Sequence, residues 1–402
     1  MTTTQTVLKD ICIRITKGTT PTTMGRPFVE EGINFVKAEA LNGDTSLEQG
    51  GFAFIDEDTH QMLRRSILEQ DDVLVTIAGA NTGRCGFVKE GDLPANTNQA
   101  VGIVRVDKEK AEPRFIYYFF KQKQTAQYIQ TLSAQAAQPN LNLANLGNIR
   151  VELPSRAEQD RIASILSAYD DLIENNRRRI QLLEQAARLL YKEWFVHFRF
   201  PGHEHTKIHN GNPEGWEKKI LGDLCQEIRE SVSPSALESN TPYIGLEHMP
   251  RRSISLSEWG TSDQVTSSKH RFRENEILFG KIRPYFHKVG IAFTDGVVSS
   301  DAIVIRPLNN ALMSLVLMTV SSDGFVAVTA QTMKEGSKMP RADWKQMQQY
   351  IMLLPPDSLL MMFNSVIEPI IRQLKTLSLN NRKLGTARDL LLPRLMNGEV
   401  AV

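Results

Sequence analysis

The chain is 402 residues long, enough for two or three domains of roughly 150 residues each. Its apolar set makes up 41%, which the 25 glycines lift to about 47%, so wholesale disorder is excluded. The 47 Lys and Arg against 46 Asp and Glu leave a net charge of +1, which excludes a histone-like polycation but not a local basic surface that binds DNA.

The start, MTTTQTVLKD, has no charged segment followed by an apolar one, so no signal peptide is expected. The longest nearly apolar run, 311–320, falls short of the roughly 20 residues that cross a bilayer. Cys12, Cys85 and Cys225 form no C-x-x-C pair and no even framework. A reducing cytoplasm is the expected compartment.

Along the chain, 33–38, 72–78 and 99–106 have the β-branched content and length of strands. Residues 113–132 read as one helix with an aromatic face. From Arg156 to Phe198 neither proline nor glycine intervenes, so a long helix is predicted. Its apolar seam runs Ile162, Ile165, Tyr169, Leu172, slips by four residues near Asn176, and continues at Ile180, Leu183, Ala187, Leu190 and Trp194, as a stutter would. Pro, Gly, Asn and His then mark a linker. His197, His203, His205 and His209 lack the carboxylate or cysteine spacing of a closed tetrahedral site, so no metal is expected. Strands follow at 241–247, 276–282, 290–293 and 301–306, then a helix at 310–321. In the last helix Phe363, Ile370, Leu377, Leu384 and Leu391 repeat every seven residues, interleaved with Ile367, Leu374, Asn381, Arg388 and Leu395. Pro369 should kink it. The two helices are expected to pair as an antiparallel coiled coil, with Asn176 and Asn381 as polar residues fixing register.

The chain is written twice. VLKDIC (7–12) matches ILGDLC (220–225), and 71–88 parallels 274–293 with Gly86 against Gly290. Residues 96–106 parallel 298–307, and Asn175-Asn176-Arg177 matches Asn380-Asn381-Arg382. Pro139 precedes Pro154 by 15 residues, as Pro340 precedes Pro355. A period of about 200 residues suits a whole domain plus a helix. The fold class is therefore α+β: two similar domains, at 1–153 and 216–355, with long helices at 154–199 and 356–402 and a linker at 200–215.

The chemistry of an enzyme is missing, and no catalytic residue is expected. There is no G-x-x-x-x-G-K-[ST] phosphate loop and no G-x-G-x-x-G after a strand. Pro355-Pro356 lacks the flanking residues of an amino-methyltransferase motif. The glycine-rich 77–86 matches a glycine-poor stretch in the second half, which favours an inter-strand turn over a phosphate cradle. Asp343-Trp344-Lys345 has a D-x-K form without the upstream Pro-Asp of a nuclease.

Residues 153–179, LPSRAEQDRIASILSAYDDLIENNRRR, resemble the central conserved region of specificity subunits of type I restriction–modification systems. Gly18-Thr19-Thr20-Pro21, KEWFVHFRFPG (192–202), PEGWE (213–217) and ARDLLLPRLMNG (387–398) agree, so the resemblance spans essentially the whole chain. The second copy lacks a counterpart of Glu158-Gln159 and a second G-x-T-P element. The resemblance implies two target-recognition domains, each reading half of a bipartite, asymmetric site on double-stranded DNA. It also implies docking of two modification subunits, which bind S-adenosylmethionine, and of restriction subunits that use ATP and Mg2+; no cofactor is expected on this chain. The alternatives are a recognition partner of a fused restriction–methylation enzyme, and a coiled-coil dimeriser with no DNA role.

Phosphates and base edges are met by Lys, Arg, Asn, Gln, Ser, Thr and Tyr in loops. In the first half the candidates are Lys17, Thr19 and Thr20, then Lys121, Lys123, Gln135, Gln138 and Asn140 in the acid-free span 113–151. In the second they are Lys281, Arg283, Tyr285 and Lys288, with Lys334, Lys338 and Arg341. The candidates for helix pairing or subunit contact are Glu158, Gln159, Ile162, Ile165, Tyr169, Leu172, Asn176, Ile180, Leu183, Ile370, Leu374, Leu377, Asn381 and Leu384.

Overall fold

The computed structural model describes residues 3–42, 44–45, 47–134, 140–331 and 340–400. They form two compact units, Met1–Asn175 with Lys383–Val402, and Asn176–Arg382. Each long helix thus serves both units rather than standing apart from them. Gln135, Gln138, Lys334 and Lys338 lie outside the described residues.

In the first unit, Val73–Thr76 is a central strand flanked antiparallel by Val101–Val106 and Cys85–Phe87, with Cys12–Lys17 beyond. Successive side chains of a strand point to opposite faces. Val73, Val75 and Val104 therefore enter one core with Phe115 and Tyr118, while Leu74 and Ile103 enter another with Val36 and Leu41. A sheet covered on both faces reads as a continuous apolar run. A second sheet orders Phe52–Ile55, Ile33–Val36 and Ala95–Thr97, and Thr4–Val7 pairs with Arg150–Leu153 to close the unit.

The second unit repeats this plan. Cys225–Ile228, Ala302–Pro307, Ile277–Gly280 and Val289–Ala292 adjoin in the same order as their first-unit counterparts. Glu217–Ile220 pairs with Ile351–Leu354 as the closing ribbon. The 200–215 linker holds a hairpin turning at Asn210-Gly211, both at positive φ. Its ends are pinned where the Phe200 and Trp216 rings meet at 5.2 Å.

The expected helix over 113–132 is two. Pro113–Lys121 ends at Gln122, whose extended backbone (ψ 135°) stops the ladder before Lys123–Ala134. The central helix runs Arg156–Tyr191 and continues as a π-turn at Lys192–Val196. The C-terminal helix, Asp357–Met396, remains one element across Pro369, which sits on its exposed face.

The two helices run antiparallel within each unit. In the first, Ile162 and Leu166 share a core with Leu392 and Leu395, and Arg388 donates to Asp170 at 2.6 Å. In the second, Asn176 Nδ2 donates to Asn381 Oδ1 at 2.9 Å, and Trp194 meets Phe363 at 5.7 Å. Leu374 and Leu377 are buried, with Ile180, Leu183 and Ile370 half-buried beside them, and in the first unit Leu384 is half-buried.

The expected stutter is absent. Ile165 and Leu172 are 38% and 46% exposed, and Leu166 and Ile173 (0% and 2%) hold the seam in their place, with Tyr169 half-buried. The row 159, 166, 173, 180, 187, 194, buried throughout except for the half-buried Ile180, then repeats every seven residues without a slip. Polar side chains hid it, because Gln159, Asp170 and Asn176 occupy seam positions with their polar atoms satisfied.

Candidate nucleic-acid interface

Each central strand leads into a turn and returns as its neighbour, Leu74 opposite Gly86 and Leu278 opposite Gly290. The turns superpose by sequence at an offset of 204 residues, as these pairs show. Thr76 N donates to Arg84 O at 2.7 Å, and Gly280 N to Lys288 O at 2.8 Å. Both turns are also tied to the chain beyond the helices. Leu141 N donates to Ile77 O at 2.8 Å and Ala78 bridges Asn140, while Ala342 N donates to Lys281 O at 2.9 Å and Ile282 bridges Arg341. The glycine-rich 77–86 is accordingly an inter-strand turn.

In the first unit, sheet order brings the end of Cys12–Lys17 beside the start of Val101–Val106 and the 77–84 turn. Lys17 is exposed there, Thr20 bonds through its backbone N and its hydroxyl to Gln99, and Ile77 N donates to Ala100 O. Lys17, Thr20 and Asn140 thus share one sheet end with the turn. Arg65, which no sequence pattern singled out, reaches to within 3.5 Å of the Thr19 hydroxyl. Lys123 is exposed at the start of its helix. Lys121 is not on the surface, and its place among DNA candidates is corrected. Its side chain is 7% exposed, its Nζ donates to Asp44 O at 2.8 Å and lies 3.7 Å from Asp170, and burial pushes its pKa down. An acid-free stretch of sequence concealed acids brought in from elsewhere in the fold.

In the second unit the corresponding sheet end carries the 281–288 turn and Arg341. Arg283 and Tyr285 are exposed, and Tyr285 rests edge-on against Phe286 at 5.0 Å. Lys281 and Lys288 instead serve the fold. Their ammonium groups donate to the carbonyls of Ser300 and Leu246, and partial burial lowers both pKa values. Arg341 pairs with Asp301 at 3.2 Å. Arg251, missed in the sequence because it lies far from the turn along the chain, stacks on Phe286 at 4.1 Å.

Among the helix candidates, Glu158 caps its helix rather than pairing it. Ser155 N and Oγ donate to Glu158 Oε2 at 3.0 and 2.8 Å, and these bonds lower its pKa. Gln159 is buried, donating to Pro154 O and accepting from Glu112 N, which fixes the helix start to the first domain. In the second unit Glu184 does similar work, its Oε1 accepting from Ser253 and Ser255 hydroxyls and from Ile254 and Ser255 N–H groups.

Among the described residues no three His, Cys, Asp or Glu side chains converge as metal ligands, and no single helix is long and apolar enough to cross a membrane.

Residues 4–185 match the family model described as the type I restriction modification DNA specificity domain. The chain is 24% identical over 347 residues to the type I restriction enzyme MjaIX specificity subunit of Methanocaldococcus jannaschii, covering 81% of this chain and 78% of that one. It is 20% identical over 414 residues to the HindI specificity subunit of Haemophilus influenzae, covering 84% and 88%. The crystal structure of a type I restriction–modification S subunit from M. genitalium shares its fold, with a TM-score of 0.58 at 14% identity over 98% of this chain and 96% of that chain. Over most of its length the chain is thus similar to specificity subunits of type I restriction–modification systems, and residues 4–185 match their DNA specificity domain.

Proposed function

We propose that the chain reads a bipartite, asymmetric site on double-stranded DNA, one half with each unit. The supporting observation is the repeated sheet end. The same strand order and the same turn bonds recur in both units, but the side chains differ, with Ala80-Asn81-Thr82 in the first turn where the second has Pro284-Tyr285-Phe286. A duplicated scaffold with diverged tips suits two half-sites of different sequence on roughly two-fold DNA.

Modification and restriction subunits dock on the long helices in this reading. Outside the seam, Ile165 and Leu172 are exposed seven residues apart in the first unit, as Leu182 and Leu189 are in the second (56% and 61%). Apolar side chains at that spacing fit the apolar face of a partner helix. Two modification subunits, one per unit, hold S-adenosylmethionine, and the restriction subunits hold ATP and Mg2+, in a prokaryotic cytoplasm. The test is methyl transfer to duplex DNA. The purified chain transfers no label, adding the modification subunit starts transfer, and robust transfer by the chain alone overturns the reading.

A further inference from the structure

The two turns agree in backbone where they differ in sequence. In the first, Gly79 and Gly83 stand at φ 89° and 93°. At the same two places, 204 residues on, Arg283 and His287 stand at φ 48° and 55°. Left-handed backbone suits glycine and strains any residue with a Cβ. Glycine would satisfy the second turn as it does the first, so each side chain there is held against a conformational cost. Strain of this kind collects where a side chain has work to do.

The work of His287 is internal. It is 5% exposed, its Nε2 lies 2.7 Å from Ser321 O, and its Nδ1 is 3.6 Å from Asp323. That anchors the turn. Arg283 has no such use. It is exposed, and among the described residues its guanidinium makes no hydrogen bond or ion pair; it lies 5.8 Å from the Phe286 ring. Its neighbours Lys281, Lys288 and Arg341 each have a carbonyl or carboxylate partner. The backbone beneath Arg283 is meanwhile fixed, with its own N–H donating to Pro340 O at 3.0 Å and Pro284 buried. Among the described residues, the turn presents at the sheet end a rigidly based guanidinium fork whose one side-chain neighbour is the Phe286 ring.

We propose that Arg283 is a specificity-determining residue of the second unit and reads a guanine edge in the major groove, an inference that rests on the bipartite reading above. A guanidinium can donate twice to guanine O6 and N7, which no other base edge reproduces. In the first unit Gly79 offers no side chain at the equivalent point, so that half-site is read there without such a contact.

The test is selection of bound sequences from a randomised duplex library by the complex of chain and modification subunit. Arg283→Gly gives the second turn the residue of the first. It should relax one guanine in one block of the selected motif by between about fivefold and 150-fold, leaving the other block unchanged. Arg283→Lys, which keeps the charge and loses the fork, should relax the same position by less. Weaker binding with every base preference intact marks a phosphate contact and overturns the inference, as does an unaltered motif. Should Arg283→Gly not assemble, Arg283→Lys decides the matter: an unchanged guanine preference overturns the inference. If the wild-type complex selects one contiguous block, the bipartite reading itself fails; if it selects two and neither variant relaxes a guanine, this inference fails alone.

Discussion

Removing the Arg388 side chain should destabilise the first unit, although Arg388 lies more than two hundred residues along the chain from most of it. Its guanidinium and the Asp170 carboxylate are 6% and 5% exposed and 2.6 Å apart. Breaking one side of a buried pair costs about 3–5 kcal/mol, because the other charge stays buried without its partner. Asp170 keeps the Tyr118 hydroxyl at 2.8 Å and Lys121 at 3.7 Å, so Arg388→Ala should fall at the lower end, about 3 kcal/mol. At a urea dependence of about 2 kcal/mol per molar, the midpoint drops by roughly 1.5 M. The joint change Arg388→Met with Asp170→Leu removes both charges and should recover most of the loss. The exposed Arg372, 3.8 Å from Glu368, is the control, with Arg372→Ala costing about 0.5 kcal/mol or less. All four tryptophans (194, 216, 259 and 344) lie in the second unit, so circular dichroism against tryptophan fluorescence separates the two transitions. Equal, small shifts for Arg388→Ala and Arg372→Ala would refute the claim that the C-terminal residues complete the first unit.

Ile165→Asp with Leu172→Asp should leave the chain folded, since both side chains are outside the seam, while weakening co-elution with the modification subunit at least tenfold in affinity; undiminished assembly argues against that face as the docking site. A heptad inserted after Leu183, matched by one after Leu377, falls between the Asn176–Asn381 and Trp194–Phe363 contacts and preserves the seam. It adds roughly 10.5 Å of helix, about three base pairs of duplex, so the methylated motif should keep its two blocks and widen their gap by about one to three pairs; an active variant with the original gap shows that the helices do not set it. Burial holds the His287 pKa below its ordinary 6.5. The unfolded chain therefore takes up the proton first, and the stability this group contributes is present above pH 6.5 and lost below it, by at most about 1.4 kcal/mol per pH unit. The tryptophan-monitored midpoint should fall between pH 7.5 and 5.5, and His287→Gln should shrink that fall; an identical profile for the variant contradicts the assignment.

The duplication, the strand runs and the Asn176–Asn381 pair were legible because each leaves a local trace, whether a repeated word, an apolar run or a polar residue at a fixed spacing. The phase of the central helix was not. Apolar residues at 165 and 172 lie outside the seam, while Gln159 and Asp170 lie within it, held by partners from distant segments. A pattern built on hydrophobicity alone reads such a helix a quarter-turn off. The basic candidates failed for the same reason at Lys121, whose buried carboxylate partner comes from the central helix. They were incomplete at Lys281 and Lys288, whose carbonyl partners leave no mark in sequence. The left-handed positions of Arg283 and His287 emerge only from the backbone, though the glycines at 79 and 83 marked the equivalent turn.

The most direct test of the whole account is a map of methylated adenines in DNA treated with the complex, before and after residues 1–153 are replaced by the equivalent domain of another specificity subunit. The account predicts a motif of two short blocks separated by a fixed unspecified gap, with the exchange rewriting one block and leaving the other and the gap intact. A single contiguous motif, or one in which both blocks change, would contradict it.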